Sequence, residues 1–555
     1  MPALLTESKP ITHVVKTAER SGAPLEILPS EQWFVRLLDK KEELKAKSKA
    51  CDWHPEWMQL RMEQWIDGLN QDWCISRQRY FGVPFPVWYV DTDTAGGSPS
   101  DIKLTFAHPS QLPVNPLADL PLGYMGKRTK TEGKYTAEDL ISWNDPHGIK
   151  NPTIEAIEIA TGKEVRILPD TDVMDTWATS SISPQISAHG ISSALCADEA
   201  RFDALYPADL RPQAHEIIRT WAFYTLVKSY LHNASIPWTD LMISGWCLAE
   251  DKTKMSKSKG NIVTPVALIE EKGTDAVRYW AATSRLGQDT AFSPDLLKIG
   301  KKLVTKLWNA TAFAAIHLEK LDAPRSEPAT DGAVTETLDR WILSRLKATV
   351  QKATDAFAAY EYADALDATN QFFWADFCDN YLELIKKRIY NEDGSFTAPK
   401  QQSAIRALYY CLADILRLYA PFVPHVTEEL YSHIFPVNYK YARSIHARGQ
   451  WPEAALYPAD AKALTAGNAA VAILEAIRKA KSERNVSIKF PLERVVIHPL
   501  TDDARRIDLT GLLRDLEGAG SIAGLAIAEE AGDGAATADG HFTLALHFAA
   551  EAQRA

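Results

Sequence analysis

Ile243-Ser244-Gly245-Trp246 and, eight residues beyond the tryptophan, Lys254-Met255-Ser256-Lys257-Ser258-Lys259-Gly260-Asn261 decide how this chain is read. Three lysines stand two or three residues apart among small polar residues, and Gly260-Asn261 leads into β-branched residues. A loop of this kind swings ammonium groups onto a polyphosphate, with lysine acting as a movable point charge. Displacement at an α-phosphate spreads negative charge over its oxygens and onto pyrophosphate, and preorganised cations stabilise that charge. On charge alone the cluster reads as a solvated basic loop. The complete octapeptide behind Ile243–Trp246 favours the phosphate reading.

Upstream of the loop, strand and helix signals alternate. Arg36–Lys49 is a charged helical run, and Pro55 opens a second helix that ends near Gly68. Asp72–Ser76 and Val83–Tyr89 are β-rich, the latter interrupted by Pro84 and Pro86. Residues 91–165 are rich in Gly, Pro, Ser and Thr and weakly periodic, and read as a surface insertion. Order resumes at Arg166–Leu168, then a helix over Glu216–Leu231 and a strand over Leu241–Ser244. That alternation predicts a parallel α/β sheet. Downstream the texture turns helical. Leu338, Trp341, Ile342 and Leu346 start an amphipathic face, and further helices are expected over 363–388, 403–419, 425–434 and 469–482. A bundle follows from this pattern. The last 60 or so residues are Ala- and Gly-rich with short β-like runs such as Phe542–Phe548, and carry no readable chemistry.

Composition sets outer limits. A chain of 555 residues exceeds one core and divides into domains. Its apolar fraction of 46% and charged fraction of 24% are ordinary for a globular protein. No apolar run reaches the roughly 18–20 residues that cross a bilayer, and Met1–Ser8 has no signal-peptide pattern. The six cysteines (51, 74, 196, 247, 378 and 411) form no Cys-x-x-Cys pair, so neither a disulfide framework nor a zinc knuckle is readable. A cytoplasmic protein with no membrane partner is expected. A net charge of −11 excludes a surface coated with nucleic acid, but it leaves room for local basic tracks. One such track is Arg478, Lys479, Lys481, Arg484 and Lys489, opposed only by Glu483; a solvated helix face explains it equally well.

Lys254–Ser258 resembles the second signature of class I aminoacyl-tRNA synthetases. Residues 72–82, 172–177, 211–221 and 421–430 resemble blocks of the branch that charges valine, isoleucine and leucine, in the family's order. Met174–Ser181 and Arg211-Pro212-Gln213-Ala214-His215 favour the valine members, of archaeal-like type, over the isoleucine members. The resemblance runs from about residue 13 to residue 492. It implies ATP-dependent activation of valine, with Mg2+ accompanying ATP, and transfer of the acyl group to tRNA-Val. Lys254 and Lys257 are then the catalytic cations. Lys254, Met255, Ser256, Lys257 and Ser258 contact ATP together with His215 and Glu216, which lie where the family reads G-H-D. Ala214 and Glu216 depart from that pattern. Phe81 and Trp177 offer a flat apolar wall for the amino acid, and Arg77 and Gln78 line the site. Trp374 and the stretch 376–381 resemble the anticodon-binding bundle, and Arg478, Lys479, Lys481 and Arg484 are its candidate tRNA contacts.

The expected fold is therefore the second half of a class I Rossmann-like α/β catalytic domain, followed by an all-α anticodon-binding bundle. Residues 1–50 read as the exit of an editing insertion with a connecting helix, and 51–300 as the catalytic half. The bundle covers 301–490, and 491–555 form a small, possibly α/β, appendage. The family's first signature, H-I-G-H, has no counterpart in the sequence. The expectation is a C-terminal portion whose activity needs the missing half, possibly carried by a separate chain. A tRNA-binding relic without catalysis, or an isoleucine ligase, are the alternatives.

Overall fold

The structure is a computed structural model describing residues 9–10, 12, 14–18, 22–25, 30–92, 102–144, 150–192, 195–255, 260–321, 332–435, 444–447, 451–530 and 532–550. The chain forms two compact units, Met1–Arg211 with Ile217–Leu241, and Pro212–Glu216 with Met242–Ala555.

In the first unit, helices Lys41–Lys49 and Gln59–Asp67 bury Leu44, Met62 and Ile66 at helical spacing. Both helices fall where the charged run and Pro55 place them. Large aromatic rings fill the space beside them. Trp73 stacks on Tyr224 with centroids 3.9 Å apart, and Trp221 stacks on Trp238 at 5.2 Å. Strands Ala208–Ala214, Trp238–Ser244 and Asp52–His54 lie in that order in one sheet, and helix Phe223–Asn233 connects the first two.

The stretch expected to be a weakly periodic insertion is a six-stranded antiparallel sheet. It begins earlier and ends later than the composition shift suggests. Val87–Asp91 and Glu164–Pro169, read from sequence as strands of the α/β frame, pair antiparallel with each other, Leu168 opposite Tyr89 and Arg166 opposite Asp91. The Arg166 guanidinium reaches the Asp91 carboxylate at 2.6 Å across that pair. Trp88, Val90, Leu120, Tyr124, Ile154, Val165 and Ile167 give the sheet a core of its own. The glycines and prolines that look like loop are its turns.

In the second unit, helices Pro294–Leu318, Thr337–Ala358, Tyr362–Tyr390, Ala398–Tyr419, Pro424–Ile434 and Ala461–Glu483 build the expected bundle. Helix Ala398–Tyr419 runs through its centre, with nearly every residue from Ser403 to Tyr419 buried. Gly467 lets helix Ala461–Glu483 press on Trp341: a Cβ there would lie 2.2 Å from the indole. The Trp341 indole N–H donates to Asn468 Oδ1 at 2.9 Å across the same contact. Within Tyr362–Tyr390 the backbone widens to a π-helix over Phe372–Tyr381.

The C-terminal residues complete this unit. Strands Leu525–Ile527, Leu492–Pro499, Phe542–Phe548 and Ala535–Ala536 form a four-stranded sheet in that order. Val495, Ile497, Leu516 and Leu544 join the same apolar core as the bundle. A buried ion cluster crosses the junction. The Arg388 guanidinium donates to both carboxylate oxygens of Asp339, at 2.7 and 3.0 Å, and to Asp515 at 3.2 Å. Among the described residues no helix is long and apolar enough to cross a membrane.

Candidate active-site and RNA-contact residues

The lysine loop hangs from a short strand pair in the second unit. Cys247–Leu248 pairs parallel with Thr290–Ala291, and Trp246 N–H donates to Asp289 Oδ1 at 2.8 Å. Gly245 makes this approach possible, because a Cβ there would lie 2.1 Å from the Gln288 carbonyl oxygen. The chain then turns back on itself: Ala249 N–H donates to Thr253 O, Lys252 adopts φ +63°, and Lys254 bridges to Leu248. Asn261 closes the loop by donating to Thr253 Oγ1 and Lys254 O at 3.1 and 3.2 Å.

Three residues separated in sequence meet at the Trp246 indole. The Lys254 ammonium lies 3.8 Å above the ring centroid, and the His215 ring packs edge-on at 5.2 Å. Lys254 Nζ also stands 3.5 Å from Glu216 Oε1, with both side chains about half exposed. His215 and Glu216 sit on the tight turn His215–Ile217, next in the chain to the π-helical turn Ile218–Ala222. Lys254 is thereby aimed by an aromatic face and a carboxylate, two groups that hold a cation by different physics. Met255 is half-buried beside it. Ser256, Lys257 and Ser258 lie outside the described residues. Trp246 was given no role from sequence. Its only signal there was an aromatic residue eight positions before Lys254.

In the first unit, Arg77 locks a turn by donating to the carbonyls of Cys74 and Ser76 at 3.1 and 2.7 Å, and it pairs with the buried Asp175 at 3.4 Å. Gln78 donates to Asp172 Oδ2 at 2.8 Å. Burial pushes the Asp172 carboxyl above its usual range, the neighbouring Asp170 adds to the shift, and Gln78 opposes it. Trp177 is half-buried on the short helix Thr176–Ser180. Phe81 does not join it in a wall: it is 91% exposed. Its neighbour Gly82 is pressed against Val173, where a Cβ would come within 2.7 Å, and the chain presents Phe81 to solvent.

The basic strip divides just as plainly. Lys481 is fully buried and donates to the carbonyls of Ile488 and Gly520 at 2.9 and 2.7 Å. Desolvation lowers its pKa to about 8. It is an internal strut, since helical spacing turns it to the side facing the C-terminal sheet. Arg478 reaches Asn380 Oδ1 and Asp379 O on the π-helical stretch. Lys479 is exposed opposite Glu483, and the Arg484 guanidinium lies 4.0 Å over the Phe548 ring.

The sequence links the two frames to known proteins. The family model described as "tRNA synthetases class I (I, L, M and V)" matches residues 22–102 and 130–293, and "Anticodon-binding domain of tRNA ligase" matches 339–497. The chain belongs to the class I tRNA synthetases of this group. The curated relatives it resembles are valine--tRNA ligases. That of Wolbachia sp. subsp. Brugia malayi is 47% identical over 89% of this chain and 51% of its own length. That of Rickettsia felis is 45% identical over 91% of this chain and 54% of its own length. The chain spans about half the length of the curated relatives it matches. The Mycobacterium tuberculosis methionyl-tRNA synthetase bound by methionyl-adenylate shares the fold, with a TM-score of 0.51 and 18% identity over 80% of this chain and 71% of that one.

Proposed function

We propose that this chain carries the lysine-loop half of the ATP site and the tRNA-binding bundle of a cytoplasmic valine--tRNA ligase. In the reaction, a valine carboxylate oxygen attacks the α-phosphate of ATP, and pyrophosphate leaves. The adenylate then yields its acyl group to a ribose hydroxyl at the 3′ end of tRNA-Val, with AMP as the leaving group. Mg2+ comes with ATP as the complex of its phosphates. The observation that carries the reading is the meeting of Lys254, His215 and Glu216 at Trp246. Lys254, with Lys257 beside it in the loop, stabilises charge developing on the phosphates. Glu216 accepts hydrogen bonds from the ribose hydroxyls once ATP phosphates draw Lys254 away. Trp177 is left as the aromatic side of the valine pocket.

The H-I-G-H signature is not among the 555 residues, so adenylate formation belongs to the assembly that contains it, on one polypeptide or in a partner chain. The test is valine-dependent ATP–pyrophosphate exchange by this chain combined with an H-I-G-H-bearing half. Valine should support exchange and isoleucine should not, and Lys254→Gln should lower kcat by roughly 10²–10³. Exchange driven equally by isoleucine would refute the substrate. Full exchange by this chain alone would refute the division of the site.

A further inference from the structure

We infer that the groove between helix Pro294–Leu318 and Trp374 binds RNA as a nucleotide cleft, with backbone phosphates on a lysine stripe and one unpaired base against the indole. The inference rests on the tRNA reading above for the identity of its ligand. The groove is a cleft of about 400 Å³ bordered by Lys272, Lys298, Lys301, Lys302, Lys306 and Trp374.

Helical geometry explains the stripe. Lys298, Lys301, Lys302 and Lys306 fall at i, i+3, i+4 and i+8 on helix Pro294–Leu318 and share one face. The opposite face buries Leu297, Leu303, Leu307, Ala310, Ala314 and Leu318. Gly300 seats that face closely on helix Thr274–Ala282, where a Cβ would lie 3.0 Å from Ala276 Cα. The stripe is therefore fixed in orientation by packing.

Its charge is poorly compensated. Asp295 is the helix's only acid, in a chain whose net charge is −11. Asp295 pairs with Lys298 at 2.9 Å, and Glu271 pairs with Lys272 at 2.6 Å. The Glu271 carboxyl is held below its ordinary range chiefly by Lys272, with a smaller contribution from Lys301. Among the described residues, Lys301, Lys302 and Lys306 have no carboxylate within 4.0 Å. Three adjacent free ammonium groups on an acidic protein are an electrostatic cost that a polyanion removes.

The second half of the cleft differs in chemistry. Trp374 is half-buried on the π-helical stretch Phe372–Tyr381, and Lys306 Nζ lies 5.8 Å from its ring centroid. π-helical insertions within α-helices are frequent at functional sites. Flat aromatic faces beside a cationic track are how proteins hold unpaired nucleotides. The cleft volume suits one nucleotide better than a duplex groove. Helix Pro294–Leu318 lies between the two stretches that the family models match, which end at 293 and resume at 339.

The test uses the full chain and a fluorescently labelled tRNA-Val transcript, with anisotropy titrations over a range of salt. The variants are Lys301→Gln/Lys302→Gln/Lys306→Gln, Trp374→Leu and Trp374→Phe, with Lys103→Gln of the antiparallel sheet as control. The triple lysine variant should bind at least tenfold more weakly, and its slope of log K against log salt should be shallower by about 2. Trp374→Leu should bind roughly tenfold more weakly with the slope unchanged, and Trp374→Phe should restore most of the loss. A triple variant with the parent's affinity and slope overturns the cleft while leaving the ligase reading intact. So does a Trp374→Phe protein as weak as Trp374→Leu. A DNA hairpin bound as tightly, with the same dependence on Trp374, overturns RNA as the occupant. Absence of any tRNA binding by the unsubstituted chain overturns the ligase reading itself.

Discussion

Removing the guanidinium of Arg388 should cost the second unit more than any other single truncation at its surface or core. Arg388 is wholly buried, and so are Asp339 and Asp515, the two carboxylates it joins. Asp339 is further held by the hydroxyls of Tyr381 and Ser403 at 2.8 and 2.6 Å, which leaves it well solvated by the protein. Asp515 has a single Arg388 bond at 3.2 Å, and burial raises its pKa to about 6 despite the cation. Arg388→Met keeps the bulk but leaves two buried carboxylates facing one another without a counter-charge. Breaking a buried pair in this way costs about 3–5 kcal/mol, which for a unit of this size lowers Tm by roughly 5–8 °C. The pH dependence has a definite sign. A carboxyl whose pKa is higher folded than unfolded binds its proton more tightly in the native state, so its penalty is relieved as pH falls through the folded value. Without the cation both carboxyls should titrate higher still, so the Arg388→Met defect should be smaller at pH 5.5 than at pH 7.5. Adding Asp339→Asn and Asp515→Asn to Arg388→Met removes the stranded charges and should recover most of the loss. Thermal unfolding followed by circular dichroism at both pH values gives all three comparisons. An Arg388→Met protein melting within 1 °C of its parent at pH 7.5, or a triple variant melting below the single one, would refute the reasoning.

Lys481→Met should lower stability by about 1–3 kcal/mol, because two buried carbonyls lose their donor, and should leave tRNA affinity and its salt slope unchanged. A shallower slope in anisotropy titrations would return Lys481 to the RNA surface. Asp275→Ala should cost about 1–2 kcal/mol. The Asp275 carboxylate accepts the N–H groups of His425 and Val426 at 3.2 and 2.8 Å, capping helix Pro424–Ile434 from helix Thr274–Ala282. Urea unfolding of the variant checks this value, and an unchanged midpoint would show that the cap carries no load.

Periodicity and punctuation were enough to place the bundle. Leu338, Trp341, Ile342 and Leu346 set one face of helix Thr337–Ala358, and Pro424 marks the first turn of Pro424–Ile434. Local pattern failed where a residue's meaning depends on what it meets. Val87–Asp91 has the composition of a buried parallel strand, and only its pairing with Glu164–Pro169 shows that it belongs to a separate antiparallel sheet. Lys479 and Lys481 are equally basic in the sequence. Two positions on a helix is about 200° of rotation, so one faces solvent and the other the C-terminal sheet. The chemistry followed the same rule. The lysine loop was legible as a run of adjacent residues, whereas its orienting partner Trp246 emerged only when the turn brought the Lys254 ammonium onto its ring.

The stripe on helix Pro294–Leu318 was in principle visible, as lysines at helical spacing with one acid among them. What no spacing reveals is Trp374, which lies 68 residues beyond Lys306 and meets it through the packing of the bundle. The difference bears on what the bundle does. A basic helix face alone attracts any polyanion at long range and is screened by salt. An aromatic face set against it supplies a short-range contact that salt does not screen and that only an exposed base can use. The lysine variants should therefore change the salt slope and the Trp374 variant should not, and that separation distinguishes a built nucleotide cleft from a charged surface.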